Sequence, residues 1–401
     1  MQWQFSSAAT LAFAALVLMI GRLIIAKVKV LQDYSIPAPV IGGLLPAIVI
    51  ALLQIVGIEF TFDLSLQPGL LLAFFATVGL SADLRMILRG GKAFLIFLGI
   101  VVVMMILQDV VGVGLSLAMG INPLIGLMVG SIAMAGGHGT AAAWGDKFSE
   151  SFGLVGATGI GLAAATFGLI LGGLLGGPVG ERLTGKLRRR GQELGTTRAP
   201  GLHDKAEAKA AFTPDRLIAS IFLMAACVAL GNWLARTTEN PIVTIPDFVW
   251  TLFIGVVLRN LFSGVKLREV DSSALDFAGE VALSLFLAMA LMSLRLWELL
   301  SLAGPMFVIL IAQSVLMWII VTRLTFPLMG SNYDAVLMAA GQTGFGLGGT
   351  ATAMINMDAL TKRYGWSARA FLFVPIVGSF MVSMFNAVIV SGFVQLLTYL
   401  Q

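Results

Sequence analysis

Ten segments, each close to the length of a bilayer-spanning helix, dominate this chain and carry few charged residues. A helix needs about 20 mainly apolar residues to cross the hydrocarbon core of a membrane. With 58% hydrophobic and 11% charged residues, the chain has more apolar surface than the interior of a soluble protein could bury. We therefore predict an all-α membrane protein with ten transmembrane helices. The predicted spans lie near residues 8–26, 38–57, 69–88, 93–119, 155–178, 216–235, 245–264, 280–297, 304–326 and 369–397.

Two further apolar segments, at about 124–144 and 335–358, are rich in glycine and differ from ordinary membrane spans. The second contains five glycines within nine residues, namely Gly341, Gly344, Gly346, Gly348 and Gly349. Each glycine weakens a helix by about 1 kcal/mol relative to alanine, so neither segment favours one continuous helix. Non-helical backbone at membrane depth persists only where protein or water satisfies its polar groups. We predict that each segment is a re-entrant hairpin of two half-helices with a glycine tip.

The distribution of lysine and arginine predicts the orientation in the membrane. If both termini are periplasmic, only Lys147, Arg236 and Arg295 of the 25 Lys and Arg residues lie outside. This agrees with the enrichment of basic residues in cytoplasmic loops. The polar stretch 181–215 is then a cytoplasmic linker. We interpret its basic run, Lys186 to Arg190, as a topology determinant beside the anionic inner leaflet and not as a nucleic-acid site.

The two halves of the chain repeat each other at an offset of about 210 residues. The sequence GGHGTAAA at 136–143 matches GLGGTATA at 346–353, and Ile36-Pro37 matches Ile245-Pro246. Each half has five predicted spans, and an odd number inserts the second half with the opposite orientation. Two inverted five-helix repeats with glycine-interrupted segments at matching places are typical of secondary transporters. The predicted division is a first repeat at 1–180, the linker at 181–215, and a second repeat at 216–401.

The chain contains three motifs in this order: IPAPVIGGLL at 36–45, GGHGTAAAW at 136–144, and GQTGFGLGGTATAMINM at 341–357. Together they resemble the sodium/glutamate symporter family, and the resemblance extends over essentially the whole chain. It implies a homodimer in the bacterial inner (plasma) membrane that takes up L-glutamate, with Na⁺ as the coupling ion and no other cofactor. It also implies alternating access, in which a transport domain moves against a scaffold in an elevator-like manner.

The two hairpin tips supply the groups that an anionic substrate requires. The N-terminus of a half-helix offers N–H donors and a positive dipole end, and glycine lets the backbone approach a ligand closely. For Thr140 and Thr350, capping of the half-helix is the alternative to substrate binding. For His138, the alternatives are a bond to a substrate carboxylate, a proton-sensitive gate, and a bond that only holds the tip. The predicted substrate-binding residues are Gly136, Gly137, His138, Gly139, Thr140, Gly346, Gly348, Gly349 and Thr350.

Sodium prefers hard oxygen ligands, which carboxylate, hydroxyl and amide side chains provide. Asp109 lies inside a span, and Asn356 and Asn386 place amides in apolar surroundings, which is costly unless they are paired. Each neutral candidate could instead form a packing hydrogen bond. Asp109 could instead relay a proton, pair with a basic residue, or lie near a water-filled crevice or a subunit contact. Arg295 either faces the substrate path or extends to the membrane interface. The predicted Na⁺-binding residues are Ser131, Asp109, Gln342, Asn356 and Asn386.

A glycine recurs at every fourth position of the fifth span, at Gly168, Gly172, Gly176 and Gly180. Such a stripe lets two helices approach closely. We expect the fifth span to pack closely against the segment 124–144 through this stripe.

Alternative functions stay open at this point. A carrier for another small carboxylate, or one coupled to protons through Asp109 or His138, changes only the substrate or the ion. A channel fits less well, because channel filters are usually symmetric and the two tips differ at His138 and Gly348. An enzyme is not predicted, because the sequence shows neither a nucleophile and base beside His138 nor the ligand spacing of a zinc site.

Overall fold

The computed structural model of the protein describes residues 2–29, 31, 37–55, 58–82, 85–191, 214–238, 246–261, 272–293 and 302–400. These residues are almost entirely helical. One small parallel sheet pairs β1 (Gln2–Phe5) with β2 (Glu59–Phe62). The helices before the linker are α1 (Ser7–Lys27), α2 (Ala38–Ile55), α3 (Gln67–Leu80), α4 (Arg85–Ala118), α5 (Pro123–Ile132), α6 (Gly137–Phe152) and α7 (Ala157–Arg189).

The helices after the linker follow in a comparable order of long and short elements. Two of them, α11 and α14, each contain one wider π-helical turn, at Val321–Thr325 and Val377–Met381. The helices are α8 (Pro214–Thr237), α9 (Asp247–Leu261), α10 (Ser272–Met292), α11 (Ala303–Leu328), α12 (Tyr333–Leu347), α13 (Thr350–Tyr364) and α14 (Ala368–Tyr399).

Seven helices of the described residues are long and apolar enough to cross a membrane, and they belong to α1, α4, α7, α8, α10, α11 and α14. Large apolar side chains on their outer faces, such as Leu23, Phe222 and Trp233, are more than half exposed. An exposed apolar surface of this kind is suited to contact with lipid. The prediction of an all-α, multi-pass membrane protein is therefore confirmed. The count of ten spans and the re-entrant geometry of the glycine segments stay predictions.

Three predicted spans have wrong boundaries, and the third, predicted at 155–178, continues to Arg189. The span predicted at 69–88 ends at Leu80, and residues 85–90 instead form the first turns of α4. They are separated from the rest of α4 by a kink at Gly91, where φ is 61° and ψ is −159°. The span predicted at 280–297 begins at Ser272 and ends at Met292. Our prediction began near Glu280, but the helix continues towards its N-terminus through Asp276, whose carboxylate accepts a hydrogen bond from Ser81 Oγ at 3.4 Å.

The predicted linker 181–215 begins later than the sequence suggested. Helix α7 continues to Arg189, and its last turns are anchored to neighbouring helices by charged side chains. Glu181 accepts hydrogen bonds from Arg363 at 2.6 Å and from the Tyr364 hydroxyl at 2.7 Å, and Lys186 lies over the ring of Phe326. The end of α7 is thereby joined to α13 and α11. Residues 192–213 lie outside the described part of the chain.

The described helices pack as two groups, each drawn from both halves of the sequence. Helices α1–α3 pack mainly with one another and with α8–α10, and we name this group the framework. Helices α4–α7 pack mainly with one another and with α11–α14, and we name this group the hairpin body. The two groups meet where the ring of Phe74 lies against Gly139 and where Phe248 lies edge-on to Trp144 at 6.0 Å.

The glycine stripe of α7 packs mainly against a second partner, in addition to the segment that we expected. A Cβ atom at Gly168 would collide with the carbonyl of Leu347, and one at Gly180 would collide with the side chain of Leu360. Those residues belong to α12 and α13, so the stripe packs mainly against the second glycine segment, while Met134 of the segment 124–144 also lies against Gly168. The first glycine segment contacts a neighbouring face of α7, where Gly161 lies against Ala141. Helix α7 therefore lies between the two glycine segments and contacts both.

Candidate functional site

The first glycine segment folds as a helix pair, α5 and α6, and we name it the first hairpin. The Ser131 carbonyl accepts hydrogen bonds from the amides of Ala135, at 3.1 Å, and Gly136, at 2.9 Å, which closes the turn. Gly137 has a φ of 70°, a left-handed conformation that favours glycine. Among the described residues, no side chain caps the start of α6. The first N–H groups of α6 are therefore left for another acceptor.

The second glycine segment also folds as a helix pair, α12 and α13, which we name the second hairpin. The Gly344 carbonyl accepts hydrogen bonds from the amides of Gly348, at 2.9 Å, and Gly349, at 3.0 Å. Gly349 has a φ of 152°, which again favours glycine. Thr350 donates its hydroxyl to the Gly378 carbonyl of α14 at 3.0 Å and does not cap α13. The second tip thus repeats the pattern of the first.

The two tips touch each other. A Cβ atom at Gly137 would lie 3.5 Å from the Gly348 carbonyl oxygen, so the start of α6 adjoins the end of α12. Beside this contact there is open space, because a Cβ atom at Gly349 would meet no described atom within 4 Å, and Ala351 is exposed. The structure therefore brings the N-termini of α6 and α13 together beside an accessible region.

Three of the predicted substrate-binding residues pack against their neighbours and do not border this open space. Gly139 accommodates the ring of Phe74, and Thr140 is buried beneath Gly136. Gly346 is covered by the side chains of Met104 and Met317. At these positions the residue shapes the tip and does not face an accessible cavity.

His138 follows the tip of the first hairpin and is only 8% exposed. Its Nε2 atom lies 3.0 Å from the Thr166 hydroxyl of α7. That hydroxyl donates its proton to the Leu162 carbonyl at 2.8 Å, so the imidazole Nε2–H is the donor to Thr166. In this conformation His138 ties the tip to α7, which agrees with the structural alternative we gave for this residue.

Three of the five predicted Na⁺-binding residues lie together in the hairpin body. The Asp109 carboxylate accepts hydrogen bonds from the Ser131 backbone amide, at 2.8 Å, and from the Ser131 hydroxyl, at 2.9 Å. Asn386 of α14 donates its amide to the Ser131 hydroxyl oxygen at 2.8 Å. All three side chains have no exposed surface. We name these three residues the oxygen cluster.

The oxygen cluster depends on a distorted part of α5. Ser131 lies in a π-helical turn, Met128–Ile132, and the preceding Gly130 has non-helical angles of φ −84° and ψ −135°. A Cβ atom at Gly130 would lie 2.8 Å from an Asp109 carboxylate oxygen, so glycine allows the close approach of α4. The Asn386 Oδ1 atom is buried and meets no hydrogen-bond donor within the described residues. The cluster thus combines one carboxylate with an amide oxygen that lacks a partner.

The other two predicted Na⁺-binding residues form hydrogen bonds with groups outside the oxygen cluster. Gln342 accepts a hydrogen bond from the Thr325 hydroxyl at 2.6 Å, within the hairpin body. Asn356 donates its amide to the carbonyls of Gly172, at 3.0 Å, and Ala340, at 3.3 Å. These contacts join α12 to α11 and α13 to α7, and they are helix-packing hydrogen bonds of the kind we gave as the alternative.

Sequence reasoning missed two buried glutamines. Gln108 of α4 donates its amide to the Gly346 carbonyl at 2.8 Å, and Gln313 of α11 donates its amide to the Gln108 carbonyl at 2.7 Å. Neither side chain has exposed surface. The signal that pointed to Asn356 and Asn386, an amide in an apolar span, applies equally to both glutamines and could have found them. Arg295, which we considered for the substrate path, lies outside the described residues.

Comparison with known proteins gives one consistent result. The family model described as Sodium/glutamate symporter matches residues 3–366. A Haemophilus influenzae protein named Sodium/glutamate symporter is 42% identical over 391 residues, which cover 96% of each chain. An Escherichia coli (strain K12) protein of the same name is 43% identical over 389 residues, which cover 97% of each chain. This chain therefore belongs to the sodium/glutamate symporter family, a family of membrane transporters and not of enzymes.

Proposed function

We propose that this protein takes up L-glutamate together with Na⁺ by exposing one site alternately to the two faces of a bacterial inner membrane. The curated relatives carry the name Sodium/glutamate symporter and match this chain over almost their whole length. One structural observation supports the proposal most directly. The uncapped N-termini of α6 and α13 meet at two touching glycine tips, beside open space.

The tips suit the chemistry of glutamate, which carries two carboxylates and one ammonium group at neutral pH. Each uncapped helix start offers backbone N–H donors and the positive end of a helix dipole, so two starts can receive two carboxylates. Gly137 and Gly349, with left-handed backbone angles, let the main chain rather than side chains line the site. Gly136 and Thr350 complete the proposed contact surface, whereas Gly348 is packed against the backbone of Leu169. His138, Gly139, Thr140 and Gly346 hold the tips in place.

We assign the coupling ion to the oxygen cluster. Na⁺ is a hard cation, and the Asp109 carboxylate would balance its charge while Ser131 and Asn386 contribute neutral oxygens. The unpartnered Asn386 Oδ1 atom supports this assignment, because a buried amide oxygen without a donor is costly unless something else satisfies it. Ser131 also closes the first tip through its carbonyl, so the ion would lie close to the substrate. Gln342 and Asn356 are not part of this proposed site, since their amides form hydrogen bonds with neighbouring helices.

The length of α5 supports a re-entrant arrangement of the first hairpin, and the internal repeat extends the same arrangement to the second. Helix α5 spans Pro123–Ile132, which at about 1.5 Å per residue is far shorter than the roughly 30 Å hydrocarbon core. With α2, α3 and α9 as three further short spans, the seven long helices make ten. Each half of the sequence then contributes five spans and one hairpin, and the halves insert with opposite orientation. Both termini are periplasmic, and the basic end of α7 lies on the cytoplasmic side.

The division into two helical groups supports an elevator-like movement. The hairpin body contains both tips and the oxygen cluster, so it can carry the whole site as one unit. The framework contains none of these residues and would remain fixed in the membrane, in a homodimer as the family resemblance implies. Alternating access by movement of one bundle against another is the usual solution for carriers built from inverted repeats.

Uptake into proteoliposomes tests the proposed transport. Purified protein should accumulate labelled glutamate when a Na⁺ gradient is imposed, with saturation and counterflow. Accumulation driven by a proton gradient without Na⁺ would assign the coupling to protons. Glutamate flux that rises in proportion to the gradient without saturation would identify a channel.

Cysteine labelling tests the re-entrant hairpin. The single native cysteine, Cys227, can be replaced by serine, and new cysteines introduced at Ile121, before the first hairpin, and at Ser151, in its last turn. If the hairpin is re-entrant, an impermeant maleimide reaches both positions from the same side of the membrane. Labelling from opposite sides would mean that the segment crosses fully, and the inverted repeat would be lost.

A further inference from the structure

Two adjacent residues of α4 contact the two hairpins separately. The Asp109 carboxylate receives the amide and hydroxyl of Ser131 in the first hairpin. The preceding residue, Gln108, donates its side-chain amide to the Gly346 carbonyl in the second hairpin, at 2.8 Å. Both side chains are fully buried. Two adjacent residues of α4, linked by one peptide bond, therefore make its contacts with the two hairpins.

The Gly346 carbonyl of the second tip needs a hydrogen-bond donor from outside its own helix. It lies in the last turn of α12, where carbonyls lack partners within the helix. Gln108 provides a donor from a helix that is 238 residues away in the sequence. Met104 and Met317 occupy the space where a side chain of Gly346 would lie, so the end of α12 is pressed against α4 and α11. A displacement of α4 at this level must displace the end of α12.

The first tip is connected to the other residue of the pair. Ser131, which binds the Asp109 carboxylate through its amide and hydroxyl, also accepts the Gly136 amide with its carbonyl at 2.9 Å. Any rearrangement of the Asp109 carboxylate around an ion therefore acts on both the first tip, through Ser131, and the α4 backbone.

We propose that Gln108 is a positioning residue that transmits occupancy of the oxygen cluster to the second hairpin tip, through its hydrogen bond to the Gly346 carbonyl. The proposal rests on the proposed symport of Na⁺ and glutamate and specifies how the two ligands are coupled. Na⁺ at Asp109 fixes α4, Gln108 then fixes the end of α12, and the start of α13 is held in the position that receives a carboxylate. Coupling of this kind is reciprocal, so glutamate also tightens Na⁺ binding.

The variant Gln108→Met tests this role, because methionine has a similar length and cannot donate to the Gly346 carbonyl. The measurement is the glutamate dissociation constant of the purified protein at limiting and at saturating Na⁺, by scintillation proximity. We expect the ratio of these two constants to fall on the order of ten-fold in Gln108→Met. Binding of radioactive Na⁺ without glutamate should remain close to wild type, which a general loss of structure would not allow.

Gln313→Met is the matched control. Gln313 is also a fully buried glutamine with one amide hydrogen bond, but it contacts the Gln108 backbone and neither tip. It should retain the wild-type ratio. A wild-type ratio in folded Gln108→Met, or an equal loss in both variants, overturns the proposal. If Gln108→Met does not fold, Gln108→Asn, whose amide is one methylene shorter, carries the same expectation. Wild-type protein whose glutamate binding ignores Na⁺ would refute the proposed symport itself.

Discussion

Replacement of Asn386 by leucine should raise the Na⁺ concentration for half-maximal glutamate uptake by about 10- to 100-fold. Asn386 is fully buried and donates to the Ser131 hydroxyl oxygen at 2.8 Å, while its Oδ1 atom is available to a cation. A hydrogen bond or ligand contact to a charged group contributes about 1.5–3 kcal/mol. Since about 1.4 kcal/mol corresponds to a factor of ten in affinity, the loss of this contact gives the expected range.

The assay is the initial rate of labelled glutamate uptake into proteoliposomes, measured over a range of Na⁺ concentrations at constant ionic strength. The matched control is Asn356→Leu, which removes an asparagine that is also buried and also lies near a hairpin. Asn356 donates to two carbonyls that belong to α7 and α12. Its loss should lower stability by about 2 kcal/mol, in thermal unfolding, and leave the Na⁺ dependence of the folded protein unchanged.

Two results would refute the reasoning. A wild-type Na⁺ curve in Asn386→Leu would remove this residue from the ion site. An equal shift of the Na⁺ curve in both variants would mean that packing of the hairpin body, and not coordination by the oxygen cluster, sets the Na⁺ dependence.

Three further predictions concern the tip, the carboxylate and the charged end of α7. Gly137→Val should abolish uptake without removing the protein from the membrane, because φ is 70° there, whereas Gly177→Val, in open space on α7, should keep wild-type uptake. Asp109→Asn should eliminate the Na⁺ dependence of glutamate binding in an equilibrium assay, since the charge that balances the cation is lost; retained dependence would exclude Asp109 as a ligand. Glu181→Gln should change the unfolding free energy by no more than about 1 kcal/mol, because its partner Arg363 is exposed; a larger loss in denaturant titration would contradict this.

The sequence predicted the membrane fold and the two glycine segments because their signals are local. Hydrophobic length identifies a span without knowledge of its neighbours, and closely spaced glycines weaken a helix locally. The helix breaks at Gly137 and Gly349 follow directly from such clusters. The boundary errors arose where this local signal is weak. Charged residues extend α10 towards its N-terminus, and one glycine kink, at Gly91, separates the first turns of α4 from the rest.

The composition of the oxygen cluster could not be predicted, because it depends on which helices pack together. Ser131 and Asn386 are 255 residues apart, and the sequence offered Gln342 and Asn356 as equally suitable amides. Asn356 bonds elsewhere because α7 packs against the second hairpin and places Gly172 beside it. Gln342 bonds elsewhere because α11 places the Thr325 hydroxyl beside it. The same ambiguity affected the glycine stripe, whose spacing predicts close contact but does not identify the partner helix.

The interleaved packing of the two helical groups has a consequence for synthesis of the protein. The framework joins α1–α3 to α8–α10, and the hairpin body joins α4–α7 to α11–α14, so the final helix belongs to the second group. During translation neither group can be completed from the N-terminal half alone. The early helices must remain in the lipid bilayer until their partners have been synthesised. During that time the surfaces that later contact those partners are exposed to lipid. A gene divided within codons 192–213 should therefore yield two fragments that are inactive singly and regain transport when produced together.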